Sequence, residues 1–208
     1  RGRTWMSPLG SGLCLSVGWG YDGLPAGFSA LGLAMGLAVR QSLADTGARG
    51  LLLKWPNDIV AGDRKLAGLL IEVEGESTGP AMVVVGVGIN MTIDQSLAER
   101  IAREGGLPPA GLREQCDAEL LSRSVLAARV LGALVTGLSG FASRGLAGLA
   151  DRWQQHDALA GRRVTVRSGS RTVQGTARGI GRDGALLLET PDGIRSLVAG
   201  DVSLRASA

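Results

Sequence analysis

The last 49 residues of the chain alternate between short apolar segments and turn sequences, and this pattern constrains the fold more than any other feature. Gly, Ser, Asp and Pro cluster at 168–170, 182–184 and 191–193, as expected for turns. Five strands in so short a region predict a small antiparallel barrel. We therefore place a domain boundary near residues 158–161, which divides the chain into 1–159 and 160–208. The predicted strands are 162–166, 171–175, 185–189, 194–198 and 201–205.

The first 159 residues mix strand and helix patterns. The segment 81–89 is almost entirely apolar, which is typical of a buried central strand. Apolar residues at helical spacing predict the helices. The fold class is therefore α+β, with a mixed central sheet and flanking helices. The other predicted strands are 13–17, 51–55, 59–61 and 67–74, and the predicted helices are 25–45, 118–138 and 141–155.

Cysteine content and the length of the uncharged stretch indicate where in the cell the protein is expected. Cys14 and Cys116 are too few and too far apart for a disulfide framework or a C-x-x-C site, which favours a reducing cytoplasm. The 17 uncharged residues 23–39 fall short of the roughly 20 that a spanning helix needs, so we expect a buried helix and no membrane contact. The chain starts at Arg1 with no Met and no signal-like segment, and we expect a piece of a longer product.

Positive charge is concentrated in the tail, where residues 160–208 carry eight Arg against four acidic residues. A basic surface of this kind suits nucleic acid. The same segment has no aromatic residue to stack on a base, so a solvated Arg-rich surface is the expected interpretation, and a nucleic-acid-binding module is the alternative.

Two classes of catalytic site are excluded by residue content. The single histidine, His156, lies in a polar segment and is expected at the surface, which argues against a multi-histidine metal site or a Ser-His-Asp triad. A Walker A loop has Gly before its Lys, whereas Lys54 follows Leu53 and Lys65 follows Arg64.

Lysine is used at only two places. Of the 22 basic residues, Lys54 and Lys65 are lysines and the other 20 are arginines. Lysine is a compact point charge on a flexible stem, suited to a phosphate or carboxylate oxygen. Lys54 lies in a strand-like segment, where it is either an edge lysine reaching to solvent or a partly buried lysine facing an anionic ligand.

Two further segments suit a nucleotide. Residues 86–90 read Gly-Val-Gly-Ile-Asn after a strand, and the amide of Asn90 can donate and accept, as recognition of a purine edge requires. A glycine bulge with an Asn turn explains the same residues. Near the start, Arg3 can grip phosphate and the indole of Trp5 can lie against a base, although a frayed chain end has the same appearance.

Several motifs together carry a family resemblance. They are Arg3-Thr4-Trp5, Lys54-Trp55-Pro56-Asn57-Asp58, Arg64-Lys65-Leu66-Ala67-Gly68-Leu69-Leu70-Ile71-Glu72, Gly86-Val87-Gly88-Ile89-Asn90 and Val202-Ser203-Leu204-Arg205. In order and spacing they resemble the biotin protein ligases over essentially the whole chain. The resemblance implies a class II synthetase-like catalytic domain followed by an SH3-like C-terminal barrel.

The resemblance also implies a reaction. Biotin and ATP, with Mg²⁺ carried by ATP, would form biotinyl-5'-AMP and pyrophosphate, and a carrier lysine would then take the biotin. The implied partner is the biotin carboxyl carrier protein domain of acetyl-CoA carboxylase or a related carboxylase. A homodimer is possible in this family, and DNA would be bound only through an N-terminal domain outside this sequence. A lipoate ligase-like acyltransferase and a non-catalytic biotin-binding remnant are the alternatives within related classes.

The resemblance assigns roles to individual residues. Lys54 would lie between the biotin carboxylate and the α-phosphate, and Arg3 would hold phosphate, so both would be catalytic. Asp58 would fix the turn after Lys54 as a structural acceptor. Backbone groups of Gly68 and Leu69 would line the biotin pocket. The ATP-binding residues would be Arg3, Trp5, Asn90 and Arg205.

Overall fold

The computed structural model describes residues 8–75, 79–103, 107–116 and 122–204. These ranges contain two sheets and several helices, with single 3-10 turns at Phe28–Ala30 and Leu112–Gln115. In chain order the elements are β1 (Gly12–Tyr21), α1 (Leu31–Ala44), β2 (Leu51–Lys54), β3 (Asp58–Ala61), β4 (Arg64–Gly75), β5 (Ala81–Asn90), α2 (Gln95–Arg103), α3 (Arg123–Arg144), α4 (Leu149–Gln154), β6 (Arg163–Ser168), β7 (Arg171–Ile180), β8 (Leu186–Thr190), β9 (Gly193–Leu197) and β10 (Asp201–Leu204).

The first sheet has the strand order β1-β5-β4-β3-β2, and each pair of neighbouring strands is antiparallel. The α+β class expected from the sequence is confirmed. The sheet is antiparallel rather than mixed, because short connections join β2 to β3, β3 to β4 and β4 to β5, and a hairpin reverses the chain. Parallel pairing within the described ranges is limited to isolated bridges, Leu53 with Asp157 and Lys65 with Pro109.

The two faces of this sheet differ in burial. Along β5, Val83, Val85, Val87 and Ile89 are buried, while Gly86, Gly88 and Asn90 alternate with them and are only partly covered. We call the side of the buried residues the core face and the other side the open face. Helix α1 packs against β2 and β4 and α3 against β1. Within the described ranges, these helices therefore cover the core face.

Helix α3 runs further than the sequence suggested. Predicted helices at 118–138 and 141–155 correspond to one helix that continues to Arg144 and a short α4, while residues 118–121 lie outside the described ranges. The helix is long and apolar enough to cross a membrane, which is weak evidence by itself. A stripe of its side chains is buried in the protein core, as in an amphipathic core helix. These are Leu126, Val130, Leu134, Leu138 and Phe141.

The second sheet is formed by the C-terminal strands in the order β10-β6-β7-β8-β9, again with antiparallel neighbours. Five strands were expected in this region, and five are observed. Its interior is apolar and continuous with the core beneath the first sheet. Val164, Val166, Ala177, Leu186 and Leu188 are at most 1% exposed.

Candidate functional site

One row of residues crosses the open face of the first sheet from edge to edge. Lys54 is opposite Asp58, Asp58 opposite Gly68, Gly68 opposite Gly88, and Gly88 opposite Cys14. Residues directly opposite each other in antiparallel strands share a face. We call these five residues the cross-strand row. It places Lys54 and Gly68, both predicted from the sequence as site residues, on the same surface.

Lys54 is a buried charged residue at the end of β2. Only 6% of it is exposed. Coulomb attraction is stronger in a partly desolvated site than in water, so an ammonium group in this position attracts anions effectively. Its positive charge also acts on Asp63, in the turn between β3 and β4. The pKa of the Asp63 carboxyl is lowered chiefly by a hydrogen bond from Arg162, and the positive charge of Lys54 acts in the same direction.

The middle of the row has no side chains because Gly68 and Gly88 face each other there. A Cβ atom at Gly68 would lie 3.0 Å from Lys65 Nζ and 3.4 Å from Asp58 Oδ1. The Lys65 side chain therefore lies beside Gly68, with its Nζ atom 2.6 Å from Asp58 Oδ1. Asp58 was expected to fix the turn after Lys54. Its carboxylate joins β3 to β4 through this ion pair, a partner that no sequence pattern indicated.

Leu69 is held by Asn57 at the tip of the β2–β3 hairpin. The Leu69 N–H donates to the Asn57 backbone oxygen at 2.9 Å, and Asn57 Nδ2 donates to the Leu69 oxygen at 2.7 Å. The Leu69 side chain is 3% exposed and lies on the core face. These bonds fix the hairpin that carries Lys54 against β4.

Asn90 ends β5 beside the glycine pair. Its Nδ2 atom donates to the Lys65 backbone oxygen at 3.1 Å, so the amide orientation is fixed by β4. The Asn90 Oδ1 atom retains its capacity to accept a hydrogen bond. Asn90 thus lies next to the cross-strand row, as a nucleotide-contacting residue on this face would.

Three of the predicted residues fall outside the described ranges. Arg3 and Trp5 precede residue 8, and Arg205 follows residue 204. Their assigned roles remain predictions from the family resemblance.

A separate cleft of about 600 Å³ lies among the helices. Its lining includes Met35, Phe141, Arg144 and His156, and no residue of the cross-strand row. His156 lines this cleft and is partly exposed. Burial and the nearby charge of Arg40 lower its pKa. The cleft and the row are therefore distinct features of the molecule.

Comparison with known proteins identifies the family. A model described as "Biotin/lipoate A/B protein ligase family" matches residues 1–90, and one described as "Biotin protein ligase C terminal domain" matches residues 160–205. The biotin--[acetyl-CoA-carboxylase] ligase of Mycobacterium tuberculosis is 32% identical over 212 residues, which cover 97% of this chain and 73% of that protein. The chain belongs to the biotin protein ligase family.

Other biotin protein ligases match along the whole chain. The bifunctional ligase/repressor BirA of Escherichia coli is 37% identical over 209 residues, which cover 100% of this chain and 63% of that protein. The chain thus spans less than two thirds of this relative's length. The biotin protein ligase from Aquifex aeolicus in complex with biotin and ATP superposes with a TM-score of 0.79 at 25% identity, over 99% of this chain and 83% of that structure.

Proposed function

We propose that this biotin protein ligase activates biotin with ATP to biotinyl-5'-AMP and transfers the biotinyl group to a lysine of a biotin carboxyl carrier protein domain. The observation that carries the proposal is the cross-strand row. It combines a buried ammonium group with a strip of two facing glycines, beside which the Lys65 side chain lies. Such a strip lets a flat ligand lie directly on the sheet while its anionic end reaches the lysine.

In the first step, a biotin carboxylate oxygen attacks the α-phosphorus of ATP. A new P–O bond forms, the bond between the α-phosphorus and the bridging oxygen breaks, and pyrophosphate leaves with its electron pair. Both reactants are anions, so a cation between them reduces their repulsion and stabilises the charge that develops. Lys54 supplies this cation in our proposal, with Arg3 on the phosphates. Mg²⁺ would bind together with ATP.

The substrate subsites follow the same surface. Gly68 and Leu69 line the biotin subsite with their backbone; the Leu69 N–H is committed to Asn57, and the Leu69 carbonyl keeps a second lone pair. Asn90 and Trp5 frame the adenine, and Arg205 reaches the phosphates from the C-terminal segment. Asp58 is neutralised by Lys65 and does not repel the anions.

In the second step, the carrier lysine attacks the carbonyl carbon of the adenylate, and AMP leaves. We propose the carrier domain of acetyl-CoA carboxylase or a related carboxylase as the partner, in the cytoplasm. A homodimer and DNA binding through an N-terminal domain are further properties to test on the complete gene product. The division into residues 1–159 and 160–208 stays a prediction.

The deciding experiment measures pyrophosphate release by the complete gene product. We expect release only when biotin and ATP are both present, and none when lipoate replaces biotin. Release with lipoate and ATP, but not with biotin and ATP, would favour the lipoate ligase-like acyltransferase. Biotin binding without release would indicate a remnant that does not activate its ligand.

Nucleic-acid binding is tested by its salt dependence. Three arginines of the C-terminal segment already pair with carboxylates, Arg162 with Asp63, Arg178 with Glu189 and Arg195 with Asp192. We therefore expect no affinity for DNA or RNA that falls steeply with salt, as phosphate-driven binding does.

A further inference from the structure

The C-terminal part of the chain contacts the Lys54 hairpin on both sides of that lysine. Immediately before it, the Leu53 N–H donates to the His156 oxygen at 2.7 Å, and the Leu53 oxygen accepts from the Ala158 N–H at 2.8 Å. Residues 156 and 158 belong to the segment that leads into β6. The strand carrying Lys54 is therefore bonded to the entrance of the second sheet.

Immediately after Lys54, Trp55 makes a second contact. The indole is 2% exposed, and its Nε1 atom donates to the Gly184 backbone oxygen at 3.1 Å. A buried indole N–H needs an acceptor, and here the acceptor belongs to the turn between β7 and β8. The same turn is also bonded to the segment just before α1, where Ser29 Oγ donates to the Asp183 backbone oxygen at 3.3 Å.

The turn fits its surroundings closely at Gly184. This glycine has a φ of +81°, a conformation that residues with a side chain rarely adopt. A Cβ atom there would lie 2.5 Å from Ala30 Cβ and 3.0 Å from Leu33 Cδ1. The contact with Trp55 thus depends on the absence of a side chain at residue 184.

We propose that Trp55 is a positioning residue, through which the second sheet fixes the backbone that carries Lys54. The kinetic consequence rests on the proposed function, because it assumes that Lys54 acts on biotin and ATP. A lysine has a long flexible stem, so the place of its ammonium group is only as well defined as the backbone at its root. A displacement of about 1 Å can lower a rate about 100-fold. The ion pair of Arg162 with Asp63 is exposed and adds little to this restraint.

The kinetic test uses Trp55→Phe in the complete gene product. The substitution keeps an aromatic ring in the same space and removes the donor to Gly184. We expect kcat for biotin-dependent pyrophosphate release to fall about tenfold, with the KM for biotin changed less than about twofold, because the loss appears where Lys54 acts. Trp19→Phe is the matched control: Trp19 lies in β1, at the opposite edge of the first sheet. Equal kcat for Trp55→Phe and Trp19→Phe would overturn the proposal.

The structural test needs no activity. Gly184→Ala introduces the clash with Ala30, whereas Gly179→Ala introduces similar backbone strain, at a φ of +83°, with no atom within 4 Å of the new Cβ. We expect faster amide hydrogen exchange across residues 51–58 in Gly184→Ala and Trp55→Phe than in Gly179→Ala and Trp19→Phe. Equal exchange in all four variants would overturn the proposal.

The two tests keep the proposals separable. If the complete gene product releases no pyrophosphate with biotin, the proposed function fails while the exchange measurement still decides the coupling. If Gly184→Ala does not fold, Trp55→Phe alone decides it.

Discussion

The two faces of the first sheet are built from neighbouring residues of the same five strands, yet they have opposite character. Every member of the cross-strand row has a sequence neighbour on the core face that is at most 7% exposed. These core-face neighbours are large apolar residues, whereas the row itself consists of a lysine, an aspartate, two glycines and a cysteine. On the proposed function, this difference predicts that substitutions one residue apart along a strand affect stability in one case and ligand binding in the other. The core neighbours are Leu53, Ile59, Leu69, Val87 and Leu13.

The largest effect should come from Lys54→Met, which keeps most of the apolar stem and removes the charge. We expect biotin-dependent pyrophosphate release to fall about 1,000-fold, the upper range for loss of one group that stabilises a developing charge. The melting temperature should change little. Near-normal turnover in this variant would remove Lys54 from the mechanism. It would also contradict the assignment of ligand binding to the open face.

On the core face, Leu69→Ala should act through stability alone. Leu69 is 3% exposed, and truncation of a buried leucine destabilises a protein by about 2–5 kcal/mol. Denaturant unfolding measures this loss. At a temperature where the variant is folded, its KM for biotin should remain within about twofold of the original. A large rise in the KM for biotin with unchanged stability would contradict the assignment of Leu69 to a purely stabilising core face.

One residue earlier, Gly68→Val should show the reverse behaviour. The new side chain projects from the open face, and the nearest atoms are the flexible end of Lys65, which can move. We expect the KM for biotin to rise more than about tenfold, because the strip is no longer flat, while the unfolding midpoint stays close to the original. Titration of biotin in a pyrophosphate assay, together with a melting curve, gives both values. An unchanged KM would mean that biotin does not lie over Gly68.

The smallest effect is expected for Asp63→Asn at the turn between β3 and β4. The hydrogen bond from Arg162 lowers the pKa of Asp63 in the folded chain. A carboxyl with a lowered folded-state pKa stabilises the fold above its unfolded pKa of about 3.9, and this contribution disappears as the pH falls through the folded-state pKa. Wild type should therefore melt slightly higher than the variant at pH 7, and the difference should vanish in acid. Both partners are exposed, so the gap is small. A difference in melting temperature that widens on acidification would contradict a stabilising role for the Asp63 carboxylate.

The strands were predictable because strict alternation and turn residues are local properties of the sequence. The helix boundary near residue 140 was not. Glycine inside a helix costs only about 1 kcal/mol, and the stripe through Leu138 and Phe141 continues across Gly140. Helix α2 was missed, although Asp94 caps it by accepting the Leu97 N–H at 2.7 Å. An aspartate three residues before an apolar position was the available signal.

The candidate site was partly predictable for a similar reason. Lys54, Gly68 and Asn90 were found through motifs, and the register brings them to one face or its border. The ion pair of Asp58 with Lys65 depends on an irregularity between β3 and β4 near Ile59 and Val60, which no local pattern reveals. The bond from Trp55 to Gly184 joins residues 129 positions apart, so only the packed fold shows it.

The glycine pair also limits redesign of the ligand. At Gly68 and Gly88 there is no atom left to delete, so a thicker substrate cannot be accommodated by trimming the floor. Beside the glycines, room could be gained only by shortening the paired side chains of Asp58 and Lys65 or the side chains at the ends of the row. One of those ends is Lys54, to which the proposed function assigns the chemistry. The exposed thiol at Cys14 is therefore the position to shorten when a bulkier vitamin analogue is to be accepted.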